Sequence, residues 1–158
     1  MQPFWTDFHG NPHSSEHSTG WSANNATELS RTKVANSVGA DPDEIIFTSG
    51  ATEANNLAIK GLCMSRHRQI RRTKILVSAT EHKCVLESAA YIAREKGCTL
   101  CEIPVDQKGH VDLGKLQTML TEDVVLVSVA LVNNEIGTIQ NLAAISELLT
   151  VSPSTLLI

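Results

Sequence analysis

An α/β fold built on a mostly parallel sheet is predicted by three features of the 158-residue sequence. Short apolar, β-favouring runs alternate with segments whose apolar residues recur at helical spacing. The run Val124 to Val132 (VVLVSVALV) is apolar on both faces, as a parallel strand covered on two sides must be. Three polar clusters stand directly after expected strands. In open parallel sheets, ligands bind in the crevice outside the carboxyl ends of the strands.

Composition narrows the class. Hydrophobic residues make up 42% and charged residues 19%, so a chain of this length can bury roughly 70% of its unfolded surface as one globular domain. A net charge of −4 leaves no general nucleic-acid footprint. No apolar run approaches the ~20 residues of a membrane helix. Asp7 and Glu16 precede the first basic residue, Arg31, so neither a signal peptide nor an Arg-rich transit peptide is read at the start. Cys63, Cys84, Cys98 and Cys101 are too few for a disulfide framework, and an intracellular compartment is expected.

Residues 1–21 read as a loop segment, with Gly10, Pro12 and Gly20 as breakers, and residues 22–158 as the body of the fold. His9, His13 and His17 stand four apart, but Gly10 and Pro12 oppose the helix that would align them, so no metal site is expected. Ser22 to Val38 is expected to be a helix capped by Ser22 and ended by Gly39. Ile45 to Phe47 is expected to be the first strand. A helix then opens at Ala51, with Ala54, Leu57, Ala58 and Leu62 on one face.

The basic stretch from Ser65 to Lys74 reads as a solvated connection. Ile75 to Ala79 is the second strand, and Lys83 to Lys96 a helix stopped by Gly97. Cys98 to Pro104 is the third strand. On a strand, Cys98 and Cys101 point to opposite faces and cannot chelate one ion, so both are expected to pack. Lys108-Gly109 turns the chain, and Asp112 caps a helix running to Leu120. Val124 to Val132 is the fourth strand. Leu142 to Leu149 is a helix broken by Pro153, and Leu156 to Ile158 begins one more strand.

The polar clusters carry the chemistry. Thr48, Ser49, Gly50, Ala51 and Thr52 combine a glycine, hydroxyl donors and a helix N-terminus, a combination that suits a phosphate. An ordinary βα turn capped by Ser49 or Thr52 is the alternative. Thr80-Glu81-His82 offers an imidazole able to lie over a ring or shuttle a proton, with a plain helix cap as the alternative. Asn133-Asn134-Glu135 offers an amide for a ring oxygen, or a simple turn. Converging at one end of the sheet, the three would suit a phosphorylated aromatic cofactor. A dinucleotide site is disfavoured, because no G-x-G-x-x-G follows the leading strand.

Four segments, GNPHSSEHSTGW, ADPDEIIFTSGATEANNLAIKG, ATEHKCVLESA and VALVNNEIGTIQNLAAISEL, strongly resemble the cysteine desulfurases. These belong to the class V aminotransferase-like, fold-type I enzymes that use pyridoxal 5′-phosphate. The likeness runs almost continuously from Gly10 to about Leu149, and TEHKCVL and VNNEIG resemble the type that feeds iron–sulfur cluster assembly. The resemblance implies part of a fold-type I large domain. It also implies that L-cysteine is converted to L-alanine with transfer of a persulfide sulfur. Ala51 and Thr52 match the pair holding the cofactor phosphate, His82 the imidazole that stacks on the pyridine ring and assists proton transfer, and Asn134 the amide near the ring oxygen. A homodimer, iron–sulfur scaffold partners and a mitochondrial or bacterial cytoplasmic setting are implied in the same way.

The sequence also departs from the family pattern. The opening D-x-x-A-T-T-P stretch is not found. Nor are the aspartate that pairs with the pyridine nitrogen, the His-Lys pair that forms the Schiff base, or the loop bearing the persulfide cysteine. Lys83 follows His82 but lies in the stacking-histidine motif. The expectation is an N-terminal piece with half a cofactor site and no turnover of its own. A selenocysteine lyase and a non-catalytic fragment that pairs with a full-length subunit are the alternatives.

Overall fold

The structure, a computed structural model, describes residues 2–66, 73–150 and 156–157. Most of the basic connection, Pro153 and Ile158 lie outside the described residues. The chain packs as two compact units, residues 1–47 and 48–158.

In the first unit, Pro3–Thr6 forms a one-turn helix, α1, and Ser18–Val38 a long helix, α2. The stretch expected as loop is therefore partly helical, and α2 starts a full turn before Ser22. Its cap is His17, whose imidazole accepts from Gly20 N–H at 3.1 Å. An imidazole can do what a serine hydroxyl does here, because it offers an acceptor to the open first turn. Gly39 ends α2 with φ of 69°. Ile45 to Phe47 is not a strand, contrary to the reading of its β-favouring residues. A 3₁₀ turn, Pro42–Glu44, precedes it. Ile45 is extended, but its N–H donates to Pro42 O and its carbonyl accepts from Arg31 Nη1. Those groups are used locally, so they build no ladder.

The second unit is the α/β layer. Its elements in order are α3 (Ala51–Arg66), β1 (Lys74–Ser78), α4 (Lys83–Lys96) and β2 (Thr99–Ile103). After these come α5 (Leu113–Met119), β3 (Val124–Ser128), α6 (Leu142–Leu149) and β4 (Leu156–Leu157). The strands form one parallel sheet in the order β2-β1-β3-β4. Ile59 and Cys63 of α3 and Val85, Ala89 and Ile92 of α4 pack with Ile75 and Val77 on one side. Leu116 of α5 and Ile145 and Leu149 of α6 pack with Leu76, Ile103 and Val127 on the other. All of these are buried, and each buried Ile, Leu or Val side chain contributes about 1.5–3 kcal/mol. Cys98 joins the first of these cores and Cys101 packs against the second, so the two thiols serve different faces.

The apolar run expected as the fourth strand pairs over Val124–Ser128 only. Beyond it Leu131 and Val132 are exposed, and Val132 forms an isolated antiparallel bridge with Ile139. Buried Gln140 braces the same region, accepting from Val111 N–H at 3.0 Å and donating to Gly109 O at 2.6 Å.

Candidate functional site

The strand order fixes where a site can form. β2 and β3 flank β1 on opposite sides, so the chain reverses its direction of travel across the sheet between β1 and β3. At such a switch point the loops leaving the two strands part and open a crevice. Here a cavity of about 360 Å³ lies between the loop after β1 and the loop after β3. It is lined by Thr80, Glu81 and His82 on one side and Asn133, Asn134 and Glu135 on the other. The volume is in the range that takes a small ligand.

His82 ends the first loop and caps α4. Its Nδ1 accepts from Cys84 N–H at 3.2 Å and lies 3.1 Å from Cys84 Sγ. An acceptor at Nδ1 puts the ring proton of the neutral imidazole on Nε2. The ring is exposed. His82 is thus a cap, as one of the two sequence readings had it, and it also lines the cavity.

The two asparagines divide the work. Asn133 Nδ2 donates to Thr80 O at 2.8 Å and ties the two loops together. Its Oδ1 accepts from Glu135 N–H at 2.9 Å and Ile136 N–H at 3.0 Å, which closes the turn. Asn134 is exposed, and among the described residues its side-chain amide has no hydrogen-bond partner. The turn reading therefore belongs to Asn133.

Ala51 and Thr52 do not line the cavity. They open α3, one helical turn before Asn55. Asn55 Nδ2 donates to Cys84 Sγ at 3.2 Å, and that sulfur touches the His82 ring. The first turn of α3 supplies no acceptor for the N–H groups of Ala51 and Thr52. Ser49 differs: its N–H and hydroxyl both donate to Glu53 Oε2, at 2.7 and 2.6 Å. These two bonds, the side-chain one first, hold the Glu53 carboxyl below its ordinary value. Gly50 has no positive φ, and a Cβ placed on it would meet nothing within 4 Å. Neither backbone strain nor packing within the chain demands glycine there. The space beside Gly50 is open.

Two further residues were not singled out by sequence reasoning. Cys84 and Asn55 link the opening of α3 to His82 across 29 positions of sequence. Neither belonged to the apolar faces read from helical spacing, so no local signal marked them. A second cavity, of about 370 Å³, lies in the 1–47 unit among Phe4, Trp5, Phe8, Ala23 and Phe47. It is apolar and carries no cationic group for a phosphate.

The 48–158 unit is a three-layer α/β fold with its cleft at the switch point, the place where open parallel sheets bind ligands. The sequence matches the Aminotransferase class-V family over residues 1–157, and the chain belongs to that family. It is 45% identical over 148 residues to the cysteine desulfurase IscS of Rickettsia africae (strain ESF-5), covering 94% of this chain and 35% of the relative. It is 46% identical over 150 residues to the mitochondrial cysteine desulfurase of Candida albicans, covering 94% and 30%. A solved NifS-like protein superimposes with a TM-score of 0.90 at 36% identity, over 99% of this chain and 42% of that one. The chain spans about a third of the length of the curated relatives it matches. Among the described residues, no helix is long and apolar enough to cross a membrane.

Proposed function

We propose that this chain forms one wall of a pyridoxal 5′-phosphate site in a cysteine desulfurase. That activity converts L-cysteine to L-alanine and passes the sulfur on as a persulfide for iron–sulfur cluster assembly. The observation that carries the reading is the pairing, across one cavity, of the exposed His82 imidazole with the unpartnered Asn134 amide. The opening turn of α3 is linked to that imidazole through Asn55 and Cys84.

The residues fit the group. Ala51 and Thr52 would hold the phosphate with first-turn N–H groups and the Thr52 hydroxyl, and Gly50 leaves room for it. His82 would lie against the ring. With Nδ1 taken by Cys84 N–H, its Nε2 is the atom left to hold or pass a proton. Asn134 would donate to the ring oxygen. When bound, the cofactor supplies the electron sink that lets bonds at the amino-acid α-carbon break. Family membership extends the proposal to a homodimer, to iron–sulfur scaffold proteins as partners, and to mitochondria or the bacterial cytoplasm.

The test is a titration of the chain with pyridoxine 5′-phosphate, which lacks the aldehyde and cannot react with surface lysines. Pyridoxine and inorganic phosphate serve as controls. The ester is expected to bind at least about tenfold more tightly than either, because charge-assisted bonds to the cradle and ring contacts act together. Equal affinities for ester and alcohol would refute the phosphate cradle.

A further inference from the structure

Glu81 is the one acidic side chain among the described residues that is buried. It sits where the loops after β1 and β3 diverge. Its Oε2 accepts from the backbone N–H of His82 at 3.3 Å, and its Oε1 from the Ser128 hydroxyl at 3.4 Å. Ser128 ends β3, and Ala130 begins the descent to Asn134. One carboxylate therefore ties the loop that carries the imidazole to the end of β3, from which the loop that carries the amide departs. Burial pushes its pKa up, and the His82 and Ser128 donors oppose that push. An apolar side chain would fill the space without the desolvation penalty of a buried acid. What a carboxylate adds is direction: it accepts from the first loop and from the end of β3 at once, and so fixes where the two loops start relative to each other.

On the cofactor reading above, we propose that Glu81 is a positioning residue that sets His82 and Asn134 at a fixed separation on opposite walls of the cavity. It lines the cavity, but its carboxylate oxygens are engaged by the His82 N–H and the Ser128 hydroxyl, so its role is to hold the walls. It acts through the His82 backbone and the Ser128 hydroxyl, alongside the Asn133–Thr80 tie. The phosphate cradle at Ala51 and Thr52 belongs to another element and owes nothing to Glu81.

The test measures two affinities on the same variants, for pyridoxine 5′-phosphate and for inorganic phosphate, with thermal melting alongside. Glu81→Ala is expected to weaken the ester about tenfold or more, the order seen when supporting partners are removed, and to leave inorganic phosphate within about twofold. Glu81→Gln keeps the shape and one acceptor oxygen, so it recovers part of the ester affinity. Should Glu81→Ala fail to fold, Glu81→Gln decides alone: a weaker ester with unchanged phosphate supports the proposal. Parallel loss of both affinities, or an unchanged ester affinity, overturns it. A wild-type chain with no preference for the ester over inorganic phosphate brings down the cofactor reading and this inference together. That outcome is distinct from failure of the Glu81 variants alone.

Discussion

Thr52→Asp is expected to abolish binding of a phosphate ester while leaving the fold at least as stable as before. Thr52 is exposed at the second position of α3. An acidic residue in the first helical turn stabilises by about 0.3–1 kcal/mol through the helix dipole. The same carboxylate would stand where the phosphate docks. Two unit charges about 4 Å apart at an effective dielectric near 20 repel by about 4 kcal/mol. That is roughly a thousandfold in affinity, before the lost hydroxyl donor is counted. The two readings of this turn give opposite outcomes. A plain capped turn gains a little stability and nothing else changes. A phosphate cradle gains the same stability and loses its ligand. Melting curves and the ester titration, run side by side, separate them.

His82 supports a second contrast of this kind. It caps α4 by accepting from Cys84 N–H, and it also faces the cavity. His82→Asn keeps a favoured capping side chain but removes the aromatic ring. His82→Ala removes both. The alanine variant is expected to lose about 1 kcal/mol of stability, and the asparagine variant a few tenths at most. Both are expected to bind the ester about tenfold more weakly, since stacking of a heteroaromatic ring on a flat side chain contributes about 1–3 kcal/mol. If His82 were only a cap, asparagine would restore the affinity together with the melting temperature.

The alternation of strands and helices was legible because each buried element carries its own period: Ile75, Leu76 and Val77 are all buried in β1, and Val85, Ala89 and Ile92 are one face of α4. The misreadings have one cause, which is that pairing is not a local property. Ile45 to Phe47 has the residues of a strand, yet its backbone groups turn to Pro42 and Arg31. Leu131 and Val132 continue an apolar run, but the ladder stops at Ser128.

The site follows the same rule. Polar clusters after strands were visible because parallel sheets place them at one end. Which strands are neighbours was not visible, and the cavity depends on β1 lying beside β3. Glu81 and Ser128 lie 47 positions apart, so their contact left no sequence signal. Residue type and position did not separate Asn133 from Asn134, and only the family resemblance pointed to Asn134. The bonds of Asn133 to Thr80, Glu135 and Ile136 mark it as the brace.

The central claim is that separate segments of this chain grip one phosphorylated ring. The most direct measurement is an amide chemical-shift titration of the labelled chain with pyridoxine 5′-phosphate. The account predicts that the backbone amides of Ala51, Thr52, His82 and Asn134 move together, along a single binding curve. Shifts confined to one of those segments, or centred on the aromatic cavity of Phe4, Trp5 and Phe8, would contradict it.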